Sequence, residues 1–328
     1  MTEKGILKRR VITPVLALAA ALCLLAGCSD DSTTGVSTGV VTDPYPLAVG
    51  NWWDYELTQN ILVKPKPDTI PDGKLSSTGL QKVSVTCTEA VTGDEAFGVR
   101  HFHVMGSIVH PDLADTTVEV HYLAQNDDRI LLKARETAYN TGGFIPFGQG
   151  SRGKQAGTMM TEGGANRFIS FSQLARILLS PLASIAPASG LDALLASDGL
   201  QNRENVLFYD YDYIFVYKEL YKGKRWTSAE AGGVGGIETT QKVTNILPEL
   251  GGFEGPIAEV EVSNTFIEYF TSEQLQIRYY YKPGVGIVQA EIYDPSMWVI
   301  INMGNGDLLD LGVGLWAVTK KLITYEVK

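Results

Sequence analysis

Residues 206–218, VLFYDYDYIFVYK, place Tyr209, Tyr211, Tyr213, Phe215 and Tyr217 at every second position, with Asp210, Asp212, Ile214, Val216 and Lys218 between them. Side chains two apart share one face of a strand, so the stretch reads as a β-strand with an unbroken aromatic row. The same alternation recurs over 52–58, 81–91, 96–105, 116–125, 129–137, 237–246, 257–271, 274–282, 286–294, 297–303 and 315–327. Asp127-Asp128, Pro283-Gly284 and Asn305-Gly306-Asp307 supply turn chemistry between neighbours. No alternation of strand and helix appears, which argues against a parallel sheet. The pattern predicts a mainly β fold: one large antiparallel, curved sheet or partly open barrel.

Residues 168–200, FISFSQLARILLSPLASIAPASGLDALLASDGL, depart from it. Phe171, Leu174, Ile177 and Leu178 follow helical spacing, Ser172 suits an N-cap, and Pro181 and Pro187 interrupt the run. A second short helix is expected over 190–197. These helices are apolar on more than one side, which predicts a helical insertion buried against the sheet. The glycine-rich run 142–164 reads as a long mobile loop that could gate a cavity. Within it, Gly148 to Gln155 imitates the start of a phosphate-binding loop. Gln155 offers no hydroxyl for magnesium and no convincing helix follows, so that reading is set aside.

The N-terminus carries an address. MTEKGILKRR (1–10) holds Lys4, Lys8, Arg9 and Arg10 against Glu3, and the uncharged run VITPVLALAAALCLLAG (11–27) follows. A basic start, an apolar stretch and small residues form the pattern of a secretory signal. The segment Leu25-Ala26-Gly27-Cys28 resembles the lipobox of bacterial lipoproteins. That resemblance implies a signal peptide over 1–27 and a thioether-linked diacylglycerol plus an N-acyl lipid on Cys28. Ser29 after the cysteine implies the outer membrane of a Gram-negative cell. The run Cys-Ser-Asp-Asp is similar to a surface-export signal of lipoproteins in the Bacteroidetes group. Residues 28–44, rich in Ser, Thr, Gly and Asp, read as a flexible tether, leaving 45–328 as a single β-rich domain.

Cysteine and charge agree with that placement. Cys23 lies in the expected leader and Cys28 in the anchor, so Cys87 alone remains, and no intramolecular disulfide can form. Cys87, in the alternating KVSVTCTEAV, reads as a small buried hydrophobe. The chain is at −10; without residues 1–27 it has 23 bases against 36 acids, or −13. Such a balance excludes nucleic acid and anionic lipid surfaces as electrostatic partners.

Two further segments carry a resemblance. YPLAVGNWWDYE (45–56) contains Y-P-L-x-x-G-N-x-W-x-Y, and YYYKPGVGIVQAE (279–291) forms a later hairpin. Both are similar to segments of uncharacterised bacterial envelope lipoproteins, which implies a fold family without an assigned activity. The expected architecture, a curved sheet with apolar helices on its concave face, looks like that of Lol-type lipoprotein carriers, by analogy alone.

The four histidines crowd into one region, His101, His103, His110 and His121, with Glu119 beside the last. If Met105 pairs with Thr117 in a hairpin, His101 faces His121 and His103 faces Glu119. Those four could bind zinc or copper. The alternative is a solvent-facing polar side of the hairpin, with Phe102, Val104, Val118, Val120 and Tyr122 as the core side. The aromatic row Tyr209, Tyr211, Tyr213, Phe215 and Tyr217 is a candidate lining for an apolar ligand, or a surface for sugar rings; otherwise it is core. No catalytic set emerges: no G-x-S-x-G, no H-E-x-x-H, and no histidine beside a plausible nucleophile. The expectation is a lipid-anchored envelope protein that is not an enzyme, holding an apolar small molecule between sheet and helices. The alternatives are a glycan-binding adhesin or a metal-binding hairpin, and no protein partner is indicated.

Overall fold

The computed structural model describes residues 39–63, 72–109, 114–137, 145–146, 155–162, 165–171, 174–175, 179, 206–229, 238–264, 274–302 and 307–328. The chain divides into two compact units, Met1–Val36 and Ser37–Lys328, and every described residue belongs to the second. Cys28 therefore lies outside the described residues, as do the leader and most of the tether.

Seventeen strands occur among the described residues. The first half holds β1 (Val41–Thr42), β2 (Trp52–Val63), β3 (Lys74–Val91), β4 (Asp94–Gly106), β5 (Ala114–Gln125) and β6 (Arg129–Thr137). A middle group follows: β7 (Ile145–Pro146), β8 (Gln155–Glu162), β9 (Ala165–Ser170), β10 (Val206–Tyr217) and β11 (Glu219–Leu220). The remainder are β12 (Arg225–Ala229), β13 (Glu238–Leu250), β14 (Phe253–Asn264), β15 (Gln276–Lys282), β16 (Gly286–Asn302) and β17 (Leu308–Glu326).

Twelve of these form one antiparallel meander in the order β10-β6-β5-β4-β3-β2-β17-β16-β15-β14-β13-β12. Alternation sets its inner face: along β2, Trp53, Tyr55, Leu57, Gln59, Ile61 and Val63 are buried while the residues between them are not. The two end strands then meet. Ser228 Oγ donates to the Ile214 carbonyl at 2.8 Å, Gln241 Nε2 donates to the Phe215 carbonyl at 3.4 Å, and Tyr217 and Trp226 pack edge to face. The sheet is thus a nearly closed barrel, joined at its seam by side chains where every other junction is a backbone ladder.

Several expected elements are longer or differently joined. The stretches 286–294 and 297–303 are one strand, β16, because a bulge between Asp294 and Met297 absorbs Pro295 without ending the pairing with β17. The expected mobile loop at 142–164 contains β8, which pairs with the end of β16 and with β9. Phe168, Ile169 and Ser170 belong to β9, so the helical insertion begins at Phe171, after the strand and not at 168. Phe171, Leu174 and Ala175 are helical, and Leu179 N–H donates to the Ala175 carbonyl at 2.8 Å. Ser172, Pro181, Pro187 and the expected second helix lie outside the described residues.

One end of the barrel is built by the two segments singled out at 45–56 and 279–291. Tyr45 stacks on Trp53 at 5.5 Å and meets Phe215 edge-on at 4.9 Å. Trp53 Nε1–H donates to the Val285 carbonyl, and Gly284 N–H to that of Asp43. Asn51, fully buried, donates to the Pro46 carbonyl and accepts from the Lys328 backbone N–H. Gly286, at φ +108°, passes so close to the Trp53 indole that a side chain there would crowd it. The shared motif residues are therefore one structural contact that closes the barrel end.

Candidate ligand-binding lumen

The interior lining mixes polar and apolar groups, and its histidines lie on β4 and β5. On β2 to β6 the buried inward positions include the polar Gln59, Ser77, Gln81, His103, Thr117, Glu119 and His121 beside Trp53, Leu57, Val83, Val99 and Leu132, together with the partly buried His101 and Arg135. On β13 to β16 they include Val243, Val260, Ile277, Tyr279, Tyr281, Ala290 and Ile292 beside the polar Thr239, Gln241 and Asp294, all buried.

The register of the β4–β5 hairpin differs from that expected by two residues. His101 lies opposite Glu119, His103 opposite Thr117, and His121 opposite Val99. A slip of two preserves the face, so all four candidates still point the same way. That way is inward, where a solvent-facing side was the alternative; Phe102, Val104, Val118 and Val120 form the half-buried outer side. The inversion follows from closure, because alternation fixes which residues share a face but not which face is enclosed. Arg135 donates to Glu119 Oε1 at 2.8 Å, and His121 Nε2 lies 3.3 Å from Glu119 Oε2. The His101 and His121 rings lie 4.3 Å apart. Burial holds His101 well below the ordinary histidine pKa, reinforced by repulsion from His121, Lys320 and Arg135 and opposed by Glu119. Among the described residues no group of three or more His, Cys, Asp and Glu side chains is arranged to hold a metal ion. Both Glu119 oxygens already face cationic or imidazole partners.

Lys320 was not singled out from the sequence. It lies on β17 between Leu57 of β2 and Ala290 of β16 and is 3% exposed. Its Nζ sits 4.4 Å from the centre of the Tyr55 ring and 3.5 Å from the Leu179 carbonyl. Burial pushes its pKa down to about 7. The signal was present in the alternation: Trp316, Val318, Lys320 and Leu322 share the buried face of β17, while Lys321 is exposed.

Of the expected helical insertion, Phe171, Leu174, Ala175 and Leu179 are described; all four are buried, and Phe171 packs on Trp316 at 5.4 Å.

The aromatic row is broken. Between Phe208 and Tyr213, and again between Ile214 and Val216, β10 bulges away from β6, so Phe215 falls out of phase with its neighbours. Tyr213 is buried opposite Leu132, Phe215 is buried against Tyr45, and Tyr217 is half-buried with the Lys224 ammonium 3.9 Å from its ring centre. The side chains of Tyr209 and Tyr211 lie outside the described residues. Tyr213 and Phe215 belong to the same buried cluster as Tyr279 and Tyr281 of β15 and Trp316 of β17. Cys87, expected to be buried, is only partly so, sitting on β3 beside Gly98 where a bulge interrupts the β4 pairing.

No family model matches this chain, and no curated protein matches it. Among solved structures, it is similar to the crystal structure of a beta-barrel-like protein of domain of unknown function DUF1849 from Brucella abortus. The two are 10% identical over 87% of this chain and 100% of that one, with a TM-score of 0.28. The barrel described above rests on this chain's own strand ladder and not on that likeness.

Proposed function

We propose that this chain is a lipid-anchored envelope protein of the outer membrane whose barrel is a non-enzymatic module that binds an apolar ligand in its lumen. The observation that carries the reading is a set of buried apolar residues, Phe171, Leu174, Ala175 and Leu179, of which Phe171 packs on Trp316 inside a sheet with an incomplete seam. Ligand sites in barrels of this kind sit within the lumen. The burial of Tyr213 and Phe215 disfavours sugar stacking on those rings, which requires a face open to solvent.

The anchor half of the reading rests on Leu25 to Cys28 and on the tether composition. Two or three acyl chains hold a protein at a membrane durably, each buried methylene adding about 0.8 kcal/mol. Mass spectrometry of protein taken from native membranes is expected to find residues 1–27 removed and Cys28 carrying acyl groups. A bare Cys28 sulfur overturns the placement. The lumen half is tested by extracting the native protein and identifying bound lipids; a stoichiometric apolar species is expected, and its consistent absence counts against the reading.

A further inference from the structure

We propose that the outer face of the barrel where β16, β17 and β2 run side by side is a second, non-covalent contact with the membrane, docking on a zwitterionic leaflet. The inference rests on the lipid-anchor half of the reading above and adds the surface that the anchored barrel presents to lipid.

Alternation sends Val313, Leu315 and Ala317 to the outer side of β17, away from the buried Trp316 and Val318. Strand pairing sets Val313 beside Trp298 and Ala317 beside Tyr293 on β16, and Leu315 beside Leu62 on β2. The bulge between Asp294 and Met297 returns Trp298 to the face that Tyr293 occupies. Trp298 is 48% exposed, Tyr293 41% and Val313 40%, while Leu315 and Leu62 are half-buried. None of these residues is charged, and none belongs to the hydrophobic core, which lies on the other side of the sheet. A contiguous apolar patch left in water marks a contact site.

Its size decides what it contacts. Six residues fall well short of the roughly 20–30 a side that a stable protein interface uses. A bilayer sets no such requirement: it accepts apolar side chains without matching their shape, and Trp and Tyr are the residues that settle at its headgroup level. The anchor supplies the rest. Residues 28–39 cover at most about 40 Å however they are arranged, so the barrel stays within that distance of the lipid. A weak contact suffices at the effective concentration this creates.

The described chain begins at the end of the barrel where Gly284 N–H donates to the Asp43 carbonyl. From the start of β16 at Gly286, Tyr293 and Trp298 lie about 24 and about 41 Å along the strand, at about 3.4 Å per residue. A barrel lying on its β2–β17–β16 side therefore brings the patch to lipid within reach of the anchor. With 23 bases against 36 acids after residue 27, the mature chain favours zwitterionic over anionic lipid.

The test takes the full lipidated chain in phosphatidylcholine vesicles whose acyl chains carry bromine close to the head groups, and reads tryptophan emission. Bromine quenches only indoles that enter the lipid. Trp53, Trp226 and Trp316 are buried and Trp52 is tied to Glu326 at 3.0 Å, so one of five tryptophans should respond, a loss of about a fifth of the emission. Trp298→Phe is expected to abolish the loss and Trp52→Phe to retain it. Val313→Lys is expected to weaken it severalfold while the protein still floats with the vesicles. Flotation without quenching, or quenching unchanged in Trp298→Phe, overturns the docking face and leaves the anchor standing. Failure to float overturns the anchor and the docking that depends on it. Flotation without quenching, together with a dimer of the detergent-solubilised protein that Val313→Lys dissociates in sedimentation, assigns the patch to a second copy and overturns the lipid contact. If Val313→Lys does not fold, as judged by its β circular dichroism, Trp298→Phe decides alone.

Discussion

Two walls of the barrel, β2 to β6 and β13 to β16, come from the same alternating strands and differ in how many ionisable groups they enclose. From β13 to β16 the inner side is an ordinary core, in which aliphatic and tyrosine side chains contribute buried area and stabilise by leaving water. From β2 to β6 the apolar residues are interleaved with histidines, glutamines, a glutamate and an arginine, whose burial is costly and only partly offset by contacts such as Arg135 and His121 with Glu119. Lys320 lies on β17, between the strands that carry the histidines and those that carry the buried tyrosines of β15.

Substitutions can break that contrast, and the largest effects are expected on the β2 to β6 side. Trp53→Ala removes the fully buried indole that joins both motif segments, and is expected to destabilise by about 3–5 kcal/mol in chemical denaturation. Glu119→Ala is expected to cost less, about 1–3 kcal/mol, for a different reason: it removes the carboxylate that Arg135 and His121 contact. The double variant Glu119→Leu with Arg135→Met should recover much of that loss. No second substitution should rescue Trp53→Ala, and equal rescue of both would erase the distinction.

Lys320 sharpens the comparison through pH. Its folded pKa of about 7 lies below the ordinary 10.5, so between those values the unfolded chain holds a proton that the folded chain lacks. Stability contributed by this group therefore rises with pH across about 7 to 10.5, and below 7 the full burial cost is present. Lys320→Met is expected to be more stable than wild type near pH 6, by an amount on the order of a few kcal/mol that shrinks as pH rises. The buried tyrosines act in the opposite sense: Tyr45, Tyr55, Tyr279 and Tyr281 are all raised above 10 by burial, so stability falls above that pH. Equilibrium denaturation between pH 6 and 11 distinguishes the two slopes.

The smallest effect is expected on the apolar wall. The Tyr281 hydroxyl is enclosed with no hydrogen-bond partner among the described residues. Tyr281→Phe should be neutral or stabilising by about 1 kcal/mol, measured as a shift in the denaturation midpoint. A loss greater than that would show this hydroxyl to be held as firmly as the groups opposite.

Most strands were legible because half-buried sheet leaves a period of two, and β4, β5, β6 and β15 stand close to their expected bounds. What the pattern could not supply was closure. Without it, the polar face of His101, His103 and His121 reads as outward, whereas the bent sheet encloses it. Bulges were equally invisible: they joined 286–294 to 297–303 across Pro295 and split the row of β10, since an inserted residue changes the phase without changing composition. Lys320 passed unnoticed beside Lys321 because a Lys-Lys pair near the end of a strand resembles a solvated edge.

The long strand nearest the start of the barrel, β2, pairs along its whole length with β17, the strand nearest its end, from Gly314–Val63 to Glu326–Trp52. During synthesis β2 has one flank bare until β17 has emerged. Closure of the barrel must therefore wait for β17, and until then the bare flank of β2 is an edge open to pairing with other chains.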